Sequence, residues 1–103
     1  MLGTIYSDGE YVQVDIDKAI HYLTLSAKQN NSDAQCMLGT IYSDGEYVPV
    51  DIDKAIYYLT LSAKQNDSYA QHSLGKIYSD GEHVPVDVNK AIFYFTLSAK
   101  QNN

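Results

Sequence analysis

The chain has 103 residues, enough for one domain at most. Seven lysines and no arginine stand against 13 acidic residues, a net charge of −6. That balance disfavours non-specific binding to nucleic acid or an anionic membrane, neither of which is expected as a partner, because phosphates would be repelled. At 45% hydrophobic residues the chain is able to fold, and no apolar run approaches the roughly 20 residues of a membrane span. A single cysteine, Cys36, rules out an internal disulfide framework and a cysteine-rich metal site. The opening Met1-Leu2-Gly3-Thr4 has neither the basic region nor the apolar core of a signal peptide. This favours the cytoplasm without closing the secretory route.

Leu-Gly recurs at Leu2-Gly3, Leu38-Gly39 and Leu74-Gly75, a period of 36, and residues 2–37 match residues 38–73 at 30 of 36 positions. The expected organisation is one repeat domain over residues 1–103, with units 2–37, 38–73 and 74–103. Such self-similarity signals a solenoid whose units bury their apolar faces against one another. The first unit lacks the turn that should precede Leu2, so its opening helix is short. Its loop should contain Asp8-Gly9-Glu10, as the later loops contain Asp44-Gly45-Glu46 and Asp80-Gly81-Glu82.

In the middle of the chain, Ser32 to Tyr42 reads as a helix with Ala34, Leu38, Ile41 and Tyr42 on one stripe. Ser43 to Val50 reads as a loop marked by Asp-Gly and Pro49. Asp51 is placed to cap a second helix running from Ile52 to about Gln65, and Asp53 suits its positive end. Asn66 follows, a residue that tolerates the left-handed conformation at a helix end. The predicted fold is all-α: an α-α superhelix of antiparallel helix pairs, about three repeats with the first and last incomplete.

These residues resemble the Sel-one-like repeat family, 36-residue relatives of tetratricopeptide repeats. The middle copy supplies the family pattern with Ala34, Leu38, Gly39, Tyr42, Gly45, Val48, Asp51, Lys54, Ala55, Tyr58 and Ala63. The third repeats it with Ala70, Leu74, Gly75, Tyr78, Gly81, Val84, Asp87, Lys90, Ala91, Tyr94 and Ala99. Gly39 is expected to let the paired helices approach closely. Ala55 and Ala63 should keep the second helix slim. A loop glycine usual in the family is Tyr47 or His83 in this chain. The resemblance implies a non-catalytic adaptor or scaffold whose first helices line a concave groove.

No catalytic or metal site is expected. The pairs Asp8/Glu10, Asp44/Glu46 and Asp80/Glu82 recur in near-identical loops, whereas a catalytic pair needs one asymmetric environment that separates two pKa values. His21, His72 and His83 fall at different places in the unit. Cys36 and His72 share a position one repeat apart, too few ligands for structural zinc. Nothing calls for a cofactor. Two sequons, Asn30-Asn31-Ser32 and Asn66-Asp67-Ser68, lie where a helix stop and the next cap are needed in any case.

Two surfaces are candidates for a protein or peptide partner. Asp33, Cys36, Thr40 and Ser43 point away from Leu38 on the first helix, and the next copy holds Tyr69, His72, Lys76 and Ser79 there. Three of those four pairs differ on a nearly constant frame. On the second helix, Ile52, Ala55, Ile56, Leu59 and Ala63 face the core. An outer apolar row consists of Tyr57 with Leu61, His21 with Leu25 and Phe93 with Leu97. After the last helix nothing is available to cover Ile92, Phe95 and Ala99. Head-to-tail or helix-swapped self-association is therefore expected, and so is membership of a longer array. A structural spacer is the alternative to an adaptor, with a small hydrolase a more distant one.

Overall fold

The computed structural model describes the backbone of residues 9–101 and the side chains of residues 15–101. The opening helix expected near Leu2, together with Asp8, lies outside the described residues. Five helices follow in order: α1 (Gly9–Lys28), α2 (Ser32–Asp44), α3 (Ile52–Lys64), α4 (Ser68–Asp80) and α5 (Val88–Gln101). No strand occurs among the described residues. Each helix packs on its neighbours in the chain, and α2 also touches α4. α2 with α3 and α4 with α5 are the helix pairs of successive repeats, so the predicted solenoid is the observed architecture.

The same short-range chemistry sets the helix ends in each copy. Asn31 and Asp67 cap α2 and α4, each side chain accepting from the backbone N–H of Ala34 or Ala70 at 2.9 Å. These caps, rather than Ser32 and Ser68, open the first helices, and the two serines sit inside them. Asp51 and Asp87 accept from the N–H of Lys54 and Lys90 at 3.2 and 3.1 Å, relieving donors that the first helical turn leaves unpaired. Asn30 and Asn66 take the left-handed conformation at φ 69° and 73°. Gly45 and Gly81, both at φ 69°, end α2 and α4, and glycine carries no Cβ penalty there.

The first copy departs from this scheme. Gly9 to Val14 is helical and continuous with α1, where the corresponding Gly45 to Val50 is a loop. Of these six positions only one differs: Gln13 stands where Pro49 and Pro85 stand. Proline lacks the N–H of the helical ladder and pushes the residue before it out of the helical region. Glutamine imposes neither limit, so the expected loop around Glu10 is replaced by helix.

Two apolar clusters alternate along the stack. Ala27, Ala34 and Leu38 join α1 to α2, with Ile20, Leu23, Tyr42 and Tyr58 packed around them. Cys36, Leu59, Ala63, Ala70, Leu74 and Ile77 join α2 and α3 to α4, with Ile52, Ile56, Tyr78, Val84 and Tyr94 around them. Polar bonds repeat between the units. Gln35 and Gln71, both fully buried, donate to the carbonyls of Ala27 and Ala63 at 3.1 and 3.2 Å. Each in turn accepts from the glutamine thirty residues on, Gln65 at 2.8 Å and Gln101 at 2.7 Å. Ser62 and Ser98 donate to the carbonyls of Ser32 and Ser68 at 2.9 and 3.0 Å. No buried side-chain polar atom is left unsatisfied among the described residues.

Candidate protein-binding groove

The first helices of adjacent units, α2 and α4, lie side by side on one face of the stack, with the loop after α2 along their edge. Their local sequences decide what faces outward. Leu38 and Leu74 are fully buried, so residues on the opposite side of each helix are free to line a surface. Between the two helices runs a groove in two connected parts. The larger encloses about 600 Å³ and is lined by Asp33, Cys36, Met37, Thr40, Ile41 and Asp44 of α2, Tyr47 of the loop, and Asp67 and Tyr69 at the start of α4. The smaller, about 280 Å³, continues past Thr40, Asp44 and Tyr69 to Ser43, Ser73, Lys76, Ile77, Asp80, Glu82 and His83.

The structure brings together most residues expected on this face, though not all. Asp33, Thr40, Ser43, Tyr69 and Lys76 line the groove. His72 is exposed but packs on the Phe95 ring at 5.4 Å, outside either part. Ser79 is exposed and donates to the Lys76 carbonyl at 3.1 Å. Cys36 requires a correction. It does not point away from the core: it is only 8% exposed and belongs to the cluster under α4, forming the groove floor. Its sequence equivalent His72 stays exposed because no further first helix packs against α4 among the described residues.

Burial pushes the Cys36 thiol up to about 11 from an ordinary 9.0. The charges of Asp67 and Asp33 and a hydrogen bond to Asp67 add to that, against a smaller opposing effect of Thr40. A thiol in that state stays protonated near neutrality and is a poor nucleophile. Burial, then the neighbouring Tyr78, also raises Tyr94, against Lys90. Among the described residues no group of three or more His, Cys, Asp or Glu side chains is placed to hold a metal ion. No helix there is long and apolar enough to cross a membrane.

The helical pattern did not single out Met37, Asp44, Tyr47 and Asp67 of the larger part or Ser73, Ile77, Asp80, Glu82 and His83 of the smaller, and Ile41, expected on the stripe with Leu38, lines the larger part. Tyr47 had a signal in the sequence: it occupies a loop position where the family usually has glycine, and its side chain becomes one wall of the groove. Asp67 had no such signal, and its place as the cap of α4 is a finding of the structure.

On the opposite side of the stack, His21, Leu25, Tyr57 and Phe93 of the outer row are exposed, while Leu61 and Leu97 are half-buried. Phe93 and Leu97 border a depression of about 340 Å³ with Thr60, Ala63 and Tyr94 among its other walls. The row is thus divided between packing and solvent.

Pairs of short helices packed on one another and stacked unit on unit, with a lateral groove between first helices, define an α-solenoid of the tetratricopeptide-like class. Within that class the chain belongs to the Sel1 repeat family, whose repeat matches residues 1–31, 32–67 and 68–103. In the second and third units this frame begins at the first helix, α2 or α4, with the same 36-residue period as the Leu-Gly frame. The chain is similar in structure to a Sel1 repeat protein from Oxalobacter formigenes, with a TM-score of 0.77 and 31% identity over 85% of this chain and 36% of that one. It is similar also to a protective antigen of uropathogenic Escherichia coli with an SLR fold, with a TM-score of 0.76 and 34% identity over 82% of this chain and 18% of that one. The chain thus spans about a third and about a fifth of the length of these two structures. No curated protein matches it. Repeats of this family generally serve as protein-interaction scaffolds.

Proposed function

We propose that the chain is a non-catalytic adaptor that presents the groove between α2 and α4 to a peptide or protein partner. The observation that carries this reading is where the repeats differ. Asp33 against Tyr69, Met37 against Ser73, Thr40 against Lys76 and Tyr47 against His83 are substitutions between copies, and all eight residues line the groove. The frame beneath them, Leu38/Leu74 and Ala34/Ala70, is identical between copies. A surface whose chemistry varies on a constant scaffold is how a solenoid acquires specificity. The 36-residue units act together as one repeat domain in this reading.

The test compares partner capture by the parent chain with capture by a Tyr69→Ser, Lys76→Ser variant, both residues lining the groove. A Tyr57→Ser, Phe93→Ser variant on the outer row serves as control. An adaptor working through the groove loses its partner in the first variant and keeps it in the second. A structural spacer loses none in either. Self-association belongs to the same proposal as a second contact: Ile92 and Ala99 of α5 are exposed where their counterparts Ile56 and Ala63 on α3 are packed under α4.

A further inference from the structure

The geometry points to a partner segment that places an arginine or lysine beside an apolar side chain in the larger part of the groove. This rests on the adaptor reading and names the chemistry of its occupant. The floor is apolar, made by Cys36, Met37 and Ile41. Met37 is 54% exposed, Tyr47 44% and Tyr69 61%. Methionine and tyrosine exposed together around a concavity are the residue types that anchor protein interfaces. That accounts for the apolar half of the occupant.

The cationic half follows from the walls. Asp33, Asp44 and Asp67 line the same volume as Tyr47 and Tyr69, and no lysine or histidine lines it with them. Among the described residues none of these three carboxylates pairs with a cation. Desolvating them against a neutral or acidic ligand would be unfavourable, whereas an ammonium or guanidinium compensates their charge. Tyrosine faces also attract cations. This chain uses that contact twice internally, with Lys54 over Tyr42 at 5.1 Å and Lys90 over Tyr78 at 4.9 Å. A second copy of the chain carries the same net charge of −6, and its approach to this acidic volume would be opposed. The occupant is therefore a segment of a different protein. Past Tyr69 the groove changes character, because Lys76 and His83 stand where the second unit has Thr40 and Tyr47. That smaller part also holds Asp80 and Glu82, but with the Lys76 ammonium on the same wall, whereas Asp33 and Asp67 line only the larger part, so the cation is placed at the α2 end.

The experiment selects binders from a displayed library of random peptides on the immobilised chain and measures the enriched peptides in solution by fluorescence anisotropy. The expected winners combine an apolar residue with arginine or lysine. Replacing that cation by glutamine should weaken binding by roughly fivefold or more, as should the Asp33→Asn, Asp44→Asn double variant, and added salt should act in the same direction. Asp44→Asn retains the oxygen that accepts from the Glu46 N–H at 3.0 Å, and the double variant should melt like the parent. Binders that Tyr69→Ser abolishes, but that are indifferent to cation removal, overturn the cationic occupant and leave the groove reading standing. Binders indifferent to Tyr69→Ser, or no enrichment at all, overturn both.

Discussion

At the scale of single residues, Gly39 and Cys36 show how tightly the stack is packed. A Cβ at Gly39 would fall on the Cγ of Leu59, 2.7 Å from its Cδ2 and 3.2 Å from the carbonyl oxygen of Ala55. Leu59 is fully buried, so neither neighbour can withdraw. Gly39→Leu should cost at least about 1–3 kcal/mol by overpacking, read as a lowered Tm; a melt within a degree or two of the parent would remove the close-approach role. At Gly75 the obstacle is only the Phe95 ring, 2.7 Å from the added Cβ to Cδ1, and Phe95 is half-buried. Gly75→Ala should therefore be milder than Gly39→Ala. For Cys36, the raised pKa leaves about a hundredfold less thiolate than an ordinary cysteine near pH 8, so alkylation of the folded chain should slow accordingly. The sign of the linked stability follows. Below pH 9 both folded and unfolded thiols are protonated and the contribution is complete. Between 9 and 11 the unfolded thiol ionises first, so stability falls as pH rises through that window. Urea midpoints should drop on going from about pH 8 to about pH 10, less steeply in Cys36→Ala.

At the scale of elements, one residue decides whether a segment is loop or helix. The segment Gly45 to Val50 contains Pro49 and leaves the helix, and Gly9 to Val14 contains Gln13 and remains in it. Gln13→Pro should convert residues 9–14 to a loop, with α1 then starting after Asp15 as α3 starts after Asp51. Backbone chemical shifts that stay helical across residues 9–14 in the variant would contradict this account. The second helices show a related economy. Tyr42 stacks on Tyr58 at 6.4 Å and Tyr78 on Tyr94 at 6.3 Å, with Lys54 and Lys90 over the first ring of each pair. The recurring Tyr, Lys and aromatic positions of the repeat are thus one contact made twice, joining the two helices of each unit.

Across the whole molecule, the stack is held in register by apolar clusters and by the glutamine ladder through Gln35, Gln65, Gln71 and Gln101. Because each unit contacts only its neighbours, the same substitution has different consequences at different places in the stack. Ile56 packs into the cluster under α4, whereas its counterpart Ile92 is 59% exposed. Ile56 is partly buried, so Ile56→Lys removes apolar packing and pushes a charge toward the cluster, and should destabilise by about 1–3 kcal/mol. Ile92→Lys should leave the melt within about 0.5 kcal/mol of the parent. It should also suppress concentration-dependent association seen by light scattering. Equal association in the parent and the Ile92→Lys variant would remove the α5 face as a self-contact.

The local chemistry of the chain determined the 36-residue period, the alternation of helix and loop in the second and third copies, the capping by Asp51, the left-handed turn at Asn66 and the buried side of each helix around Leu38 and Leu59. Each depends on residues within a turn or two of one another, so a linear reading reaches them. The groove was legible only in outline. Asp33, Thr40 and Tyr69 could be placed on the outward side of their helices by periodicity, but Cys36 could not be separated from His72, which occupies the equivalent position. What distinguishes them is whether a further helix lies above, a contact made across roughly one repeat of sequence. Tyr47 and Asp67 likewise became groove walls only when the loop after α2 and the start of α4 were brought to the same edge. Position in a stack is a property of the neighbours, and only the tertiary structure supplies them.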